Sequence, residues 1–323
     1  MLAAWRVIPG RYTAFLLTGL IFISVLFLAL EHCPGRHPVF SPLIYPSLSV
    51  FLLSFHILIG CFMVMRYACD KSQHFILPIA CSFTTSIFLL SWSLFNFPAW
   101  FDTETHQSID YNHVMLLMAC RYTFTSLMFL LSGWLYSKQK ILSRYPGTDG
   151  IITVVLLVAF VMCATLCLQS NPIIQALGLV FIDNTTHIYQ PLWSHRILPG
   201  LLALWLFTTV YLITVTRLRS LFWFSICVVS ISYLCTLILL MTGQQAESYS
   251  WYYARLFEVI SGLLLIIGLL WDVFTLYRMT RQQYTISWQN SIRDPLTRLY
   301  NRSYFYDVLT QSLPQCNGQA PLS

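Results

Sequence analysis

The sequence predicts an all-α integral membrane protein: a bundle of about eight transmembrane helices with both termini in the cytoplasm and a short cytoplasmic helical tail. Composition is the first ground. Of 323 residues 57% are apolar and only 9% charged, and the mean hydropathy is +0.67. A soluble domain carries about 25% charged residues, and a chain of this length cannot enclose so much apolar surface in a water-soluble core. A soluble enzyme, a disordered chain and a disulfide scaffold are excluded for most of the length. The second ground is a series of eight apolar runs of about 20 residues, the length that crosses a hydrocarbon core. The third is charge placement. With the N-terminus inside, fourteen of the eighteen Lys and Arg fall on inner segments and only Arg36 and Arg196 on outer loops, a strong positive-inside bias.

The runs are Tyr12–Leu30, Tyr45–Met65, Phe75–Phe95, Val114–Tyr136, Ile151–Leu168, Ile197–Val215, Leu221–Met241 and Tyr253–Tyr277. Aromatic residues stand near their limits, as rings that prefer headgroup depth should: Trp5 and Tyr12, Trp100 and Phe101, Trp134 and Tyr136, Trp271 and Tyr277. The first run is longer than a signal-peptide core and no small-x-small cleavage site precedes Glu31, so it reads as a retained helix. The outer connections Glu31–Ile44, Asn96–His113 and Gln169–Arg196 are long, whereas the inner turn Thr216–Ser220 is short. The last outer loop opens with Pro172–Ile182, either an interfacial helix or an extension of the fifth span. Seven of ten cysteines lie within spans and only Cys33 faces outward. No CxxC and no paired Cys/His spacing fits zinc, so no metal site is expected.

After Tyr277 the composition turns polar: residues 278–293 read RMTRQQYTISWQNSIR, with Met279 and Ile286 one heptad apart. That is compatible with a two-stranded coiled coil and equally with the eighth helix running out into water. At Asp294 the chain reads DPLTRLYNRSYFYDVL. Pro295 biases Asp294 to an extended conformation. Asn301 can cap a new helix whose apolar face holds Tyr304, Phe305, Val308 and Leu309.

This string resembles the opening of GGDEF domains, the catalytic module of diguanylate cyclases, which begins D-x-L-T-G-L-x-N-R-R. Asp294, Leu296, Thr297, Leu299, Asn301, Arg302, Phe305 and Leu309 fit, whereas Arg298 stands at the family's Gly and Ser303 at its usual Arg. The resemblance covers about 16 residues and stops after Leu309, where the apolar pattern is lost. The family's GGDEF or GGEEF loop, its upstream metal-binding aspartate and its R-x-x-D pair have no counterpart here, and no Gly-Gly pair occurs. Metal-assisted phosphoryl transfer needs acidic ligands and a phosphate cradle. The chain is therefore expected to be inactive as a cyclase, its module cut short by a frameshift or truncation, with Mg2+ and GTP belonging only to an intact relative. The spans before this string resemble the membrane-associated sensor (MASE) class. The resemblance implies a sensor domain over residues 1–277, a signalling helix or linker over 278–293, and the start of a GGDEF domain with a disordered end over 294–323. It also implies a bacterial inner-membrane location, and a homodimer or a heterodimer with other GGDEF proteins. Nothing suggests a nucleic-acid partner.

Ionisable groups inside spans cost about 2.5–3.5 kcal/mol each at mid-helix on translocon scales, so four stand out as a candidate polar network: Arg121, Arg255, Glu258 and Asp272. Arg121 and Glu258 sit at similar depth in two helices that run the same way, and can pair if those helices touch. At 100° per residue Ala254, Glu258, Ser261, Leu265 and Asp272 share one stripe, as do Arg121, Thr125, Met128 and Ser132. This pattern fits a packing ion pair, a bistable core that moves the last span, or a ligand pocket. His32, His37, His106, His113, His187 and His195 lie in or beside outer loops, where they are polar surface or sensors of metal or pH. Two other functions fit the chain: a small transporter or channel, and a non-catalytic membrane partner of intact cyclases.

Overall fold

The computed structural model describes residues 44–96, 111–142, 147–183, 186–243, 245–294, 297 and 299–316, with scattered positions between 17 and 28. The chain divides into two compact units, Met1–Leu269 and Leu270–Ser323.

In the first unit the helices follow one another in the predicted order. They are α1 (Ile44–Cys69), α2 (Ile76–Phe95), α3 (Tyr111–Leu142), α4 (Thr148–Leu168), the short α5 (Ser170–Leu177), α6 (Leu192–Thr216, opening on a π-helical turn) and α7 (Leu221–Gly243). The helix α8 (Tyr249–Ile292) begins here. All but α5 are long and apolar enough to cross a membrane, which makes seven among the described residues. Of the predicted first span, the described positions from Leu17 to Leu28 are helical and the remainder of Tyr12–Leu30 lies outside the described residues. Phe22 of that stretch packs on Phe257 of α8 with ring centroids 5.7 Å apart. The molecule is a multi-helix membrane bundle, as the composition requires. Among the described residues the only extended pairings are isolated bridges, Ile182 with Tyr189, Ile188 with Gln245 and Arg293 with Tyr300.

Burial ranks the helices. In its most apolar stretch α7 is 72% buried while α4 is 11% buried, so α7 forms the centre of the bundle and α4 its lipid-facing edge. Side chains explain the difference. Ser225, Ser230, Ser232 and Thr236 line α7 with small polar groups, and such residues let membrane helices approach closely. The Ser232 hydroxyl donates to the Phe257 carbonyl (2.9 Å) and Thr236 to that of Ala254 (3.3 Å), tying α7 to α8. Between α3 and α6, Ser126 meets Thr208 at 2.7 Å. In α4, by contrast, Ile151, Val154, Val155, Leu157, Val158 and Met162 are all exposed, which suits hydrocarbon rather than protein as the neighbour.

The loop between α4 and α6 resolves the open reading of Pro172–Ile182. A break at Gln169 ends α4, α5 occupies Ser170–Leu177, and Gly178 turns the chain with φ 57°, a left-handed conformation that glycine adopts without a steric penalty. The segment is a separate short helix, not an extension of the span.

In the second unit α8 continues to Ile292 without a break at Tyr277. Met279 and Ile286 are exposed there. A tight turn follows, in which Asp294 Oδ1 accepts from the Thr297 amide (2.8 Å) and hydroxyl (3.1 Å). Asn301 then caps α9 (Arg302–Cys316) by accepting the Tyr304 amide at 2.9 Å. The capping role read from the sequence is thus present, but α9 runs past Leu309 to Cys316. Each added helical residue costs little once the first turn is nucleated, and apolar periodicity is not needed to extend it. Residues 317–323 lie outside the described residues.

Candidate functional site

Three of the four predicted intramembrane charges come together. Arg121 is ten residues from the start of α3 and Glu258 nine from the start of α8, so each lies about 14–15 Å along its helix. Arg121, Arg255 and Glu258 are 2%, 5% and 3% exposed. At such burial an ion must find its partners inside the protein. Arg121 Nη2 donates to both carboxylate oxygens of Glu258, at 3.0 Å to Oε1 and 2.8 Å to Oε2. Arg255 Nη1 donates to Oε2 at 2.9 Å from one helical turn away, the i, i+3 spacing that brings side chains onto the same helical face.

Tyrosines complete the cluster. Tyr122 donates its hydroxyl to Glu258 Oε1. Arg255 Nη2 donates to the Tyr45 hydroxyl at 2.5 Å, and its guanidinium carbon lies 4.9 Å from the centre of the Tyr45 ring. Arg121 Nη1 reaches the Tyr233 hydroxyl at 3.5 Å, and Tyr233 is stacked on Trp205 with centroids 4.3 Å apart. Glu258 therefore holds together α3 and α8 directly, with α1 and α7 attached through Tyr45 and Tyr233. The sequence flagged the charges because they interrupt apolar runs. It missed Tyr45, which stands at a span limit and reads as an interface anchor, and Tyr122 and Tyr233, which lie inside their spans as uncharged residues; the available signal was Tyr122 beside Arg121.

Asp272 is the fourth predicted charge. It shares the Glu258 stripe, but it lies fourteen residues further along α8, is half-buried, and falls in the second unit. The other stripe members, Ala254, Ser261, Leu265, Thr125, Met128 and Ser132, are buried. Elsewhere in the core His56 Nδ1 and the Ser86 hydroxyl are 2.8 Å apart, joining α1 to α2.

A second polar group closes one end of the bundle. The Asn112 side chain accepts the amides of Phe181 (2.7 Å) and Ile182 (3.1 Å). Tyr111 donates to Glu247, and His187 Nδ1 lies 3.5 Å from that carboxylate. The loops before α6 and before α8 are thus both fixed to the start of α3. Of the outer-loop histidines, His113 is buried, His187 sits in this group and His195 meets Ser194 (2.8 Å); His32, His37 and His106 lie outside the described residues. Among the described residues no three of His, Cys, Asp and Glu gather as metal ligands.

Of the domain-start residues, Asp294, Thr297 and Asn301 form the turn and cap described above. Arg302 lies over the Tyr306 ring at 5.4 Å, and Leu296 is outside the described residues.

Membrane-length helices closed around an ion cluster, with the last of them running on beyond the spans, define a polytopic membrane protein with a polar core rather than an inert anchor. The chain belongs to the family described as MASE4, membrane-associated sensor, integral membrane domain, whose model matches residues 40–277. It is also similar to the probable diguanylate cyclase DgcT of Escherichia coli (strain K12), 26% identical over 148 residues. That stretch is 44% of this chain and 31% of the relative, so the match spans under a third of the relative's length. No solved structure matches the chain.

Proposed function

We propose that residues 1–293 are the sensing and transmitting segment of a cyclic di-GMP signalling protein in the bacterial inner membrane, with both termini cytoplasmic. The observation that carries this reading is α8, one unbroken helix that holds Glu258 in the buried cluster and ends at Ile292, two residues before the cyclase-like string at Asp294. A stimulus that rearranges the cluster changes how α8 packs, and α8 is the element that leads to the output. Membership of a membrane-sensor family and the likeness to a probable cyclase support the same direction, and the Lys and Arg bias supports the orientation. Cyclisation of two GTP molecules with Mg2+ is assigned to a complete GGDEF module; residues 1–323 are assigned no cofactor and no catalytic residue. The partners are the bilayer and a second GGDEF protein, like or unlike, because two GTP-loaded domains must meet.

The test is a set of chimeras joining residues 1–293 to an intact GGDEF module, with cyclic di-GMP measured in cells across varied envelope conditions. Condition-dependent synthesis is the expected result. Correctly inserted chimeras that stay silent under every condition, while the same module fused to a proven sensor is active, would remove the reading.

A further inference from the structure

The charges of the cluster do not balance. Arg121 and Arg255 contribute two positive charges and Glu258 one negative, and all three are buried. Arginine is not deprotonated in proteins, so the excess cannot be removed by losing a proton from a guanidinium. Tyr122 donates its hydroxyl to Glu258 and so adds no negative charge, while Arg255 donates to the Tyr45 hydroxyl. His56 is bonded to Ser86 and adds none either. An uncompensated buried cation is among the costliest features a bundle can carry.

The packing around Arg255 shows where compensation fits. A small cavity is lined by Arg121 and Arg255 together with Tyr45, Ser93, Met118 and four apolar residues, with no acidic residue among them. Its volume, about 10 Å³, is that of one water-sized particle. A neighbouring cavity of the same size is lined by Glu258 and carries its own counter-charge. The two cavities differ in sign, and only the first is bordered by two cations without an acid.

We propose that the cavity between Arg121 and Arg255 binds a small inorganic monoanion, chloride being the reference species. Guanidinium N–H groups and the Tyr45 and Ser93 hydroxyls supply donors, and the low-dielectric surroundings strengthen the attraction. Size excludes carboxylic acids, sulfate and phosphate. A halide is somewhat larger than water, and Met118, unbranched and adaptable, is the wall that yields. Binding makes the cluster neutral and fixes Arg255 between Glu258 and the anion; release leaves Arg255 repelled by Arg121. The anion is thus a candidate input for the sensing site proposed above, but its binding is measurable with no output domain, so the two ideas fail separately.

The experiment is thermal unfolding of the purified full chain in nanodiscs, in sodium chloride, bromide or nitrate against sodium gluconate at equal ionic strength. Chloride should raise the midpoint saturably, by about 5–10 °C at a concentration some hundredfold above its Kd, with gluconate inert. Arg255→Gln removes the excess charge and should abolish the difference between salts. Ser93→Asp places a carboxylate in the cavity and should do the same, which keeps the test alive if Arg255→Gln does not fold. Equal midpoints in chloride and gluconate for the natural chain would overturn the proposal. So would a difference between salts that persists undiminished in either variant.

Discussion

One nitrogen of Arg121, Nη2, lies within 3.0 Å of both oxygens of Glu258, so a single group on α3 grips the whole carboxylate of α8. The two residues are 137 positions apart in sequence and both are buried. Removing either one is therefore not symmetric in its effect.

Glu258→Gln leaves Arg121 and Arg255 buried face to face, and breaking a buried pair in this way costs about 3–5 kcal/mol. Arg121→Met leaves Glu258 paired with Arg255 and Tyr122, and the loss should be nearer ~1–2 kcal/mol. Unfolding of both variants in the same bilayer mimetic checks the order. A Glu258→Gln variant no less stable than Arg121→Met would show that Glu258 is not the hub.

The Asn112 side chain holds two backbone amides that have no other described partner role in the loop, those of Phe181 and Ile182. Asn112→Leu should cost about 1–3 kcal/mol locally, because buried donors are left unsatisfied. Amide exchange over residues 178–191 should speed up at least tenfold while exchange in α7 stays unchanged. Unaltered protection in that loop would contradict the assignment.

Close packing of α7 on α8 depends on Gly268, where an added Cβ would collide with the Ser225 hydroxyl. Gly268→Ala should destabilise by about 1–3 kcal/mol, as overpacking does. Adding Ser225→Ala removes the hydroxyl and should recover part of the loss. No recovery in the double variant would place the strain elsewhere.

Asp70, in the turn after α1, has its carboxyl held below the usual range, first by the Ser72 hydroxyl and then by the Gln73 amide. A depressed value means the turn is stabilised above the unfolded-state pKa of Asp, and that contribution is lost as pH falls through the lower folded value. Ser72→Ala should move the titration midpoint of Asp70, followed by NMR, back up towards the ordinary carboxylate value. A midpoint that does not move would show that the hydroxyl is not the cause.

How much of this was legible in the sequence depends on what each signal encodes. Hydropathy marks spans because a bilayer demands a fixed apolar length, so the seven membrane-length helices each contain one of the last seven predicted runs, save a residue or so at an end. Arg121 and Glu258 were legible as partners because charges in apolar runs are rare and their depths match. Asp272 was legible as a charge in an apolar run, and periodicity placed it on the Glu258 face without giving its depth. Tyr45 and Tyr233 were hidden among eighteen tyrosines, none of which carries a charge that marks it within an apolar run. The Asn112 and Glu247 contacts join loops distant in sequence, and no local pattern reports such a pairing. The length of α9 was underestimated because the apolar pattern stops before the helix does.

The central claim is that the Glu258 cluster governs the output through α8. Its most direct test is cyclic di-GMP synthesis by the 1–293 chimera carrying Glu258→Gln, compared with the unaltered chimera at matched membrane levels. Basal output should change at least fivefold and the response to conditions should be lost. Unchanged basal output with an intact response would contradict it.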